Sequence, residues 1–239
     1  MKINALVFDI DDTLYQEIDY VLSGFRAVDM WLENNFDITD FYGLATDLFN
    51  SGERANVFNK TLELLNVSFN ESMISKMVSV YRAHKPEIEL LDDAKWVIDN
   101  LHGSIKKGII SDGYLITQKQ KVEALNLKEK FHTIILSDIY GRSNWKPSPM
   151  PYREVTKGLS CLHNECVYIG DNLKKDFVTA KKLGWLTVHV KRTTGIYSNL
   201  VVDKELKAHY QINDLRELIN IRELRHLFDI DNQERVVVK

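Results

Sequence analysis

Three aspartates stand close together near the start of the chain, in the stretch ALVFDIDDTLY. Asp9, Asp11 and Asp12 directly follow a run of apolar residues. Like charges at the end of a buried run repel one another and are costly unless a cation compensates for them. Asp9 and Asp11 are two residues apart, so on an extended chain their side chains face the same side. One such carboxylate can attack an electrophile while its neighbour transfers a proton, so the pair indicates nucleophilic catalysis with acid/base assistance.

Five short apolar runs end in small or polar residues. Because both faces of each run are apolar, they are typical of buried strands in a parallel sheet. The runs are ALVF, KGII, HTIIL, CVYI and WLTVHV. The carboxyl ends of parallel strands meet at one edge of the sheet, where ligands bind. The sequence therefore predicts one crevice lined by Asp9, Asp11, Thr13, Ser111, Asp112, Gly113, Lys146, Pro147, Asp171 and Asp176.

Three or four carboxylates that face one crevice need a cation. Oxygen ligands without histidine or thiolate favour Mg²⁺, which also binds phosphate oxygens. A carboxylate that attacks an anionic phosphate needs positive charge beside it, and Mg²⁺ and Lys146 can supply that charge. Ser111 and the backbone N–H groups near Gly113 can hold phosphate oxygens at the start of a helix.

Neighbouring charged residues have simpler expected roles. We expect Asp12 to accept a hydrogen bond within its loop, and Asp112 to be a turn residue whose backbone N–H can face phosphate. A carboxylate at Asp176 would also be favourable in the first turn of the following helix. Lys174 and Lys175 are expected on a solvated helix face.

The elements that position these residues follow from hydrophobic periodicity. DAKWVIDNL, LITQKQKVEALN and KDFVTAKKLG have apolar residues three or four positions apart, as in helices. Their alternation with the strands predicts an α/β protein with a parallel sheet covered by helices on both sides. Residues 16–88 contain helical patterns and no convincing strand. We therefore predict a sheet domain of residues 1–15 and 89–239 with a helical domain, residues 16–88, inserted after the first strand.

The end of the chain and its overall composition suggest no further functional residues. NDLRELINIRELRHLF predicts a charged amphipathic helix, and DIDNQERVVVK stays open between an edge strand and a disordered end. The chain has 239 residues, 44% of them hydrophobic, and a formal net charge of -3. This composition is typical of a soluble globular protein and argues against the basic face of a nucleic-acid binder.

The two cysteines of the chain, Cys161 and Cys166, flank a histidine in CLHNEC. Their spacing fits no common zinc pattern, so two free thiols beside a strand are expected. Free thiols and the lack of a signal-like or membrane-spanning apolar run lead us to expect a cytoplasmic protein that does not bind membranes.

Four motifs together carry a family resemblance. DIDDTLY is similar to the DxDxT motif of the haloacid dehalogenase-like (HAD) hydrolase superfamily, and IISDG resembles its second motif. WKPSPMPY resembles the third motif, a lysine followed by proline, although Pro149 and Pro151 are unusual there and are expected to stiffen the loop. YIGDNLKKDFVTAKKLGW is similar to the fourth motif, GDxxxxD. All four occur in family order, each at the end of a predicted strand.

The resemblance implies a Rossmann-like core in which residues 16–88 form a helical cap of the C1 type. It implies that Asp9 is the nucleophile and becomes an aspartyl-phosphate. Asp11 would protonate the leaving group and then activate the hydrolytic water. Thr13 would shape the loop, while Ser111 and Lys146 would bind the phosphoryl group.

The resemblance also implies Mg²⁺ as the cofactor. A carboxylate oxygen of Asp9, the backbone carbonyl of Asp11 and Asp171 would hold the ion, and Asp176 would act directly or through water. Dehalogenase activity is not expected, because the dehalogenases lack an acid/base at the position of Asp11 and need no Mg²⁺.

The activity that the resemblance implies is a phosphomonoesterase acting on a small metabolite, such as a sugar phosphate, a nucleoside monophosphate or phosphoglycolate. FDIDDTLY is especially similar to phosphatases of the pyrimidine 5′-nucleotidase and N-acylneuraminate-9-phosphatase kind. Two alternatives stay open: phosphoryl transfer of the β-phosphoglucomutase kind, and a catalytically silent binding protein. The first has the same motifs, whereas the second is expected to lose the nucleophile or the metal carboxylates, all of which this chain keeps.

Overall fold

A computed structural model of the protein describes residues 2–195 and 200–229. These residues form two compact units, one made of residues 2–17, 89–195 and 200–229 and the other of Ile18–Ile88. The ambiguous final segment lies outside the described residues from position 230 onward. Each unit has its own hydrophobic core.

A six-stranded parallel sheet forms the centre of the first unit, with the strand order β3-β2-β1-β4-β5-β6. The strands are β1 (Ala5–Phe8), β2 (Lys106–Ser111), β3 (Thr133–Leu136), β4 (Cys166–Gly170), β5 (Leu186–Val190) and β6 (Tyr210–Ile212). Every residue of β1 and β4 is buried, as expected for central strands covered on both faces. The predicted α/β class and parallel sheet are confirmed, and β6, a three-residue edge strand, adds to the five predicted strands.

Nine α-helices lie in the described part of the chain. They are α1 (Glu17–Phe36), α2 (Phe41–Asn50), α3 (Val57–Leu64), α4 (Glu71–Ala83), α5 (Asp92–Asn100), α6 (Leu115–Ala124), α7 (Leu127–Lys130), α8 (Met150–Leu159) and α9 (Phe177–Lys182). Pro149 and Pro151 stand at the start of α8, where a missing N–H costs no helical hydrogen bond. The two unusual prolines thus end the lysine loop by starting a helix.

The second unit consists of α1 to α4 packed around apolar side chains. On α1 the buried stripe includes Val21, Phe25, Val28 and Leu32, which are three or four residues apart. Met77 of α4 is buried in the same core. Residues 18–88 are therefore helical, and their role as a cap remains a proposal.

The prediction of an amphipathic α-helix near the C-terminus is wrong in helix type. Residues 213–228 instead form two 3₁₀-helices, Leu215–Asn220 and Arg225–Leu227. Residues 215–228 bury five side chains at every third position, Leu215, Leu218, Ile221, Leu224 and Leu227, together with Ile219 and Phe228. The spacing of three shared by five of these residues matches the three residues per turn of a 3₁₀-helix better than the 3.6 of an α-helix.

An arginine after β5 supports the loop that follows β1. The Arg192 guanidinium forms a two-pronged ion pair with Asp93 and donates to the backbone oxygen of Thr13 at 2.7 Å. Asp93 also accepts from the backbone N–H of Leu215 at 2.7 Å. Both side chains of the ion pair are largely buried, so the charge of each is compensated mainly by the charge of the other.

We expect the Arg192→Met variant to lose about 3 kcal/mol of unfolding free energy, because it leaves the buried Asp93 carboxylate without its cation. Urea denaturation followed by circular dichroism measures the loss. Lys191→Met removes an exposed cation one residue earlier and should change the free energy by less than about 0.5 kcal/mol. Equal stability of the two variants would contradict the assigned role of Arg192.

Both cysteines are free thiols, as predicted. Cys166 is fully buried in β4, and burial raises the pKa of its thiol to about 12. Burial also raises the pKa of Cys161, which is only half-buried. The difference in exposure predicts that the two thiols react at different rates.

We expect native Cys166 to resist a thiol reagent at pH 8, because roughly one thiol in ten thousand is ionised there. The native Cys161→Ser variant should therefore show no rapidly reacting thiol, whereas native Cys166→Ser should show one. Both variants should react fully in denaturant. Rapid labelling of native Cys161→Ser would show that Cys166 is accessible after all.

None of the helices in the described ranges combines the length and the apolar character that crossing a lipid bilayer requires.

Candidate active site

The register of the central strands brings the candidate residues to one edge of the sheet. Phe8, the last residue of β1, lies between Ile109 of β2 and Ile169 of β4. The residues that follow each of these positions therefore emerge together. They include Asp9, Ser111 and Asp171, which belong to three different motifs of the sequence.

A group of three buried carboxylates lies at this edge. Asp9, Asp171 and Asp176 each offer an oxygen, and these oxygens lie within 4.8 Å of one another. The Lys146 ammonium is 2.8 Å from Asp9 Oδ2 and 2.8 Å from Asp176 Oδ1. Gly170 permits this approach, because a Cβ at that position would stand 2.5 Å from Asp176 Oδ2. The structure thus brings together four of the predicted site residues.

The charges of this group are only partly compensated within the protein. Burial raises the pKa of Asp9 to about 6, although the neighbouring Lys146 opposes the shift. Burial together with Asp176 and Asp9 holds the pKa of Asp171 well above its usual range. The pKa values of Asp9 and Asp171 stay raised although Lys146 and Lys175 are near the group, so these lysines do not fully neutralise the three carboxylates. A hard divalent cation fits the all-oxygen donor set and would supply the missing charge.

Asp11 lies apart from this group, although only Ile10 separates it from Asp9. Its Oδ1 accepts from the Tyr15 hydroxyl and from the Lys121 ammonium at 2.5 Å. Its Oδ2 accepts from the Gln118 side-chain amide at 3.1 Å. Burial alone would raise the pKa of Asp11, but the lysine and these hydrogen bonds outweigh it and lower the pKa. Asp11 is therefore held as an ionised carboxylate, separate from the acidic group.

Ser111 and Gly113 form the turn that leads from β2 into α6. The Ser111 hydroxyl is fully buried and has no hydrogen-bond partner among the described residues, so it is available to a ligand oxygen. Gly113 has φ +134°, and a Cβ there would lie 2.4 Å from Gln118 Nε2. Glycine is thus required both by the backbone conformation and by the close side chain.

Asp112 organises the same crevice through its side chain. Its Oδ1 accepts from Ser137 Oγ at 2.6 Å and from the backbone N–H of Lys146 at 3.1 Å. Its Oδ2 lies 3.5 Å from the Lys175 ammonium. Asp112 therefore links the turn after β2 to the lysine loop, which is more than the turn role that the sequence predicts.

The prediction that Lys175 lies on a solvated helix face is wrong, whereas Lys174 is exposed as expected. The Lys175 side chain is 30% exposed and faces Asp112. Its pKa is raised despite burial and Lys146, because Asp9, Asp176 and Asp112 stabilise its charge. The physical reason is that residues 171–176 precede α9 and do not yet follow its helical pattern.

Asp12 and Asp176 have different roles at the site. Asp12 Oδ1 accepts from the backbone N–H of Glu17 at 2.9 Å, which confirms its role as a loop acceptor. Asp176 stands at the start of α9 but makes no capping hydrogen bond to that helix. Its Oδ2 accepts from the backbone N–H of Asn172 at 2.9 Å, and its buried position beside Lys146 favours an electrostatic role.

Four side chains at the site escaped the sequence reasoning: Gln118, Lys121, Tyr168 and Lys175. Gln118 and Lys121 lie one turn apart on α6, and the Tyr168 hydroxyl of β4 accepts a hydrogen bond from the Lys146 ammonium at 2.7 Å. The one available signal was the i, i+3 spacing of two polar residues on the helix that follows Gly113. Nothing in the sequence distinguishes that spacing from an ordinary solvated helix face.

The fold and the site define the class of this protein: a Rossmann-like α/β protein with a buried acidic group and a buried lysine at the carboxyl edge of its sheet. The family model described as haloacid dehalogenase-like hydrolase matches residues 6–190. The chain therefore belongs to the haloacid dehalogenase-like hydrolase family, as the four motifs indicated.

Curated relatives with related names match most of the chain. The glyceraldehyde 3-phosphate phosphatase of Methanocaldococcus jannaschii is 26% identical over 92% of this chain and 96% of its own length. The pyrophosphatase PpaX of Bacillus mycoides is 24% identical over 92% of this chain and 97% of its own length. Both relatives are named as phosphatases that act on small phosphate compounds.

Solved structures share the fold. The HAD-hydrolase YfnB of Bacillus subtilis, crystallised with bound magnesium, aligns with a TM-score of 0.64 at 19% identity, over 92% of this chain and 99% of its own. The 2-haloacid dehalogenase of Pseudomonas syringae aligns with a TM-score of 0.63 at 17% identity, over 91% of this chain and 97% of its own. At these identities the likeness concerns the fold alone.

Proposed function

We propose that this protein is a Mg²⁺-dependent phosphomonoesterase that hydrolyses a small phosphorylated metabolite through an aspartyl-phosphate. The observation that carries the proposal is the division of the crevice into two parts. Asp9 lies beside Lys146 within the acidic group, while Asp11 is held separately by neutral and cationic donors. This arrangement gives one carboxylate for attack and another for proton transfer.

In the proposed reaction an Asp9 oxygen attacks phosphorus, and the bond between phosphorus and the leaving oxygen breaks. Asp11 takes up a proton when the anionic substrate binds and passes it to the leaving oxygen, which departs as an alcohol. In the second half of the reaction Asp11 removes a proton from water, whose oxygen attacks the phosphorus of aspartyl-phosphate. Asp9 is thereby regenerated and inorganic phosphate is released.

The other residues of the crevice bind and orient the phosphoryl group. Ser111 donates its unpartnered hydroxyl to a phosphate oxygen, and the backbone N–H groups of Asp112 and Gly113 face the same group. Lys146 provides a fixed positive charge that reduces the repulsion between Asp9 and the phosphate.

The metal ion would be held by carboxylate oxygens of Asp9, Asp171 and Asp176 and by the backbone carbonyl of Asp11. When bound, it neutralises this acidic group and lowers the charge repulsion that an anionic nucleophile meets at phosphate. The pKa values of Asp9 and Asp171, which are raised without a metal, support a site built for a cation.

Substrate choice is assigned to the helical unit, Ile18–Ile88, as a C1-type cap that excludes water and selects the leaving group. Sugar phosphates and nucleoside monophosphates are the proposed substrates. The names of the relatives add glyceraldehyde 3-phosphate and pyrophosphate as compounds to be tested. The two free thiols support the proposal of a reducing, cytoplasmic setting.

A phosphate-release screen over sugar phosphates, nucleoside monophosphates, phosphoglycolate, glyceraldehyde 3-phosphate and pyrophosphate tests the proposal. We expect release with Mg²⁺, none in excess chelator, and recovery when Mg²⁺ is restored. An isomerised sugar phosphate without free phosphate would indicate a phosphomutase instead. No turnover of any compound with Mg²⁺ present would favour a catalytically silent binding protein.

A further inference from the structure

The acidic side chains of the crevice fall into two sets with different neighbours. Three of them, Asp9, Asp171 and Asp176, lie within 4.8 Å of one another, and Asp11 is not part of that group. Asp11 nevertheless follows Asp9 by only two positions in the chain. A divalent cation in the crevice would attract nearby carboxylates, so the contacts that hold the Asp11 side chain elsewhere bear on which carboxylates bind the ion.

Donors on two sides occupy both oxygens of Asp11. Lys121 Nζ is 2.5 Å from Oδ1, which also accepts from the Tyr15 hydroxyl, and Gln118 Nε2 is 3.1 Å from Oδ2. The Lys121 side chain is only 3% exposed, so its ion pair with Asp11 is poorly screened by water. Gln118 is fixed in turn, because Nε2 also donates to the backbone oxygen of Asp112 at 2.7 Å.

The contacts from Lys121, Gln118 and Tyr15, here called the Asp11 clamp, have a direct chemical consequence. A carboxylate whose oxygen coordinates the metal has that lone pair committed to the ion and is fixed beside it, so it cannot reach the leaving oxygen or the hydrolytic water. A carboxylate held by Lys121 and Gln118 stays outside the coordination sphere and keeps a lone pair available. The clamp therefore separates the metal ligands from the acid/base within one small crevice.

We propose that Lys121, supported by Gln118, is a positioning residue that keeps the Asp11 side chain out of metal coordination and reserves it for proton transfer. This inference rests on the proposed phosphatase function and goes beyond it, because it assigns a role to two α6 residues outside the four motifs. Lys121 acts by offering Asp11 a competing cation.

The test combines kinetics with metal binding in the absence of substrate. We expect Lys121→Met to lower kcat by about 100-fold, the usual size of a lost acid/base contribution, with KM changed by less than about threefold. Its affinity for Mg²⁺, measured by calorimetry, should rise about tenfold, because a released Asp11 carboxylate becomes an additional ligand. Lys121→Arg, which keeps the competing cation, should restore most of kcat and the lower Mg²⁺ affinity.

The Asp11→Asn background distinguishes positioning from a general field effect. Removing any positive charge near the crevice could strengthen cation binding, but only a released Asp11 carboxylate adds a ligand. We therefore expect Lys121→Met to raise Mg²⁺ affinity in the wild-type background and to leave it unchanged beside Asp11→Asn. Lys119→Met, an exposed lysine of the same helix, serves as the matched control and should behave as wild type.

Two results would overturn the inference: a wild-type kcat in Lys121→Met, or a rise in Mg²⁺ affinity that persists beside Asp11→Asn. Should Lys121→Met not fold, Lys121→Gln keeps a hydrogen-bond donor without the charge and carries the same two measurements. Absence of turnover in the wild-type protein would instead refute the proposed function, while the Mg²⁺ affinities would still report on the position of Asp11.

Discussion

The Asp9→Asn variant is expected to fold normally and to lose phosphate release by about 10⁴-fold or more. The amide has nearly the shape of the carboxylate, but its oxygen is a poor nucleophile and cannot form the acyl phosphate. Folding should not suffer in metal-free buffer. Burial raises the pKa of Asp9 to about 6, above its unfolded value, so the ionised side chain costs stability at neutral pH and asparagine removes that cost.

Steady-state phosphate release and urea denaturation measure the two expectations for Asp9→Asn. Asp12→Asn is the matched control, since it makes the same chemical change three residues later. It should alter turnover by less than about threefold, because asparagine keeps the acceptor for Glu17 and tolerates the φ of 47° at this position. A greater loss in Asp12→Asn than in Asp9→Asn would refute the assignment of the nucleophile.

The second large effect is expected at Lys146. We expect Lys146→Met to lower kcat by about 10³-fold, because the site loses the fixed positive charge that opposes repulsion between Asp9 and phosphate. The metal-free variant should also lose about 3 kcal/mol of unfolding free energy. Its two carboxylate partners, Asp9 and Asp176, would remain buried without the ammonium that now lies 2.8 Å from each.

The stability of the Lys146→Met variant should depend strongly on Mg²⁺. Because Asp9, Asp171 and Asp176 can hold a cation, added Mg²⁺ should stabilise Lys146→Met more than it stabilises the wild type. Melting temperature with and without Mg²⁺ measures the difference. Lys157→Met, an exposed lysine of α8, should match the wild type in both assays. If Lys146→Met were as stable as this control without Mg²⁺, the described charge balance would be incorrect.

Much of the sheet and of the acidic group was predictable from the sequence, for one physical reason. The runs ending at Phe8, Ile110 and Ile169 are apolar on both faces, which is typical of strands buried in a parallel sheet. Parallel strands align their carboxyl ends, so the positions of Asp9, Ser111 and Asp171 at one edge follow directly from where each run ends.

The sequence was less informative where local pattern admits more than one structure. The segment from Leu215 to Leu227 has apolar residues three or four positions apart, a pattern that predicts an α-helix, but it contains two 3₁₀-helices instead. β6 is a three-residue edge strand with one exposed side, too short for its pattern to stand out. In both cases packing against the rest of the domain selects among conformations that are locally close in energy.

By itself, then, the sequence determined the sheet, its acidic edge and the family to which the chain belongs. Only the tertiary structure decided which charges meet there. Lys121 and Lys175 look like any solvated lysines in the sequence, yet one contacts Asp11 and the other faces Asp112. Helical and strand periodicity specify which face a residue occupies along its own element, whereas an ion pair depends on how separate elements pack.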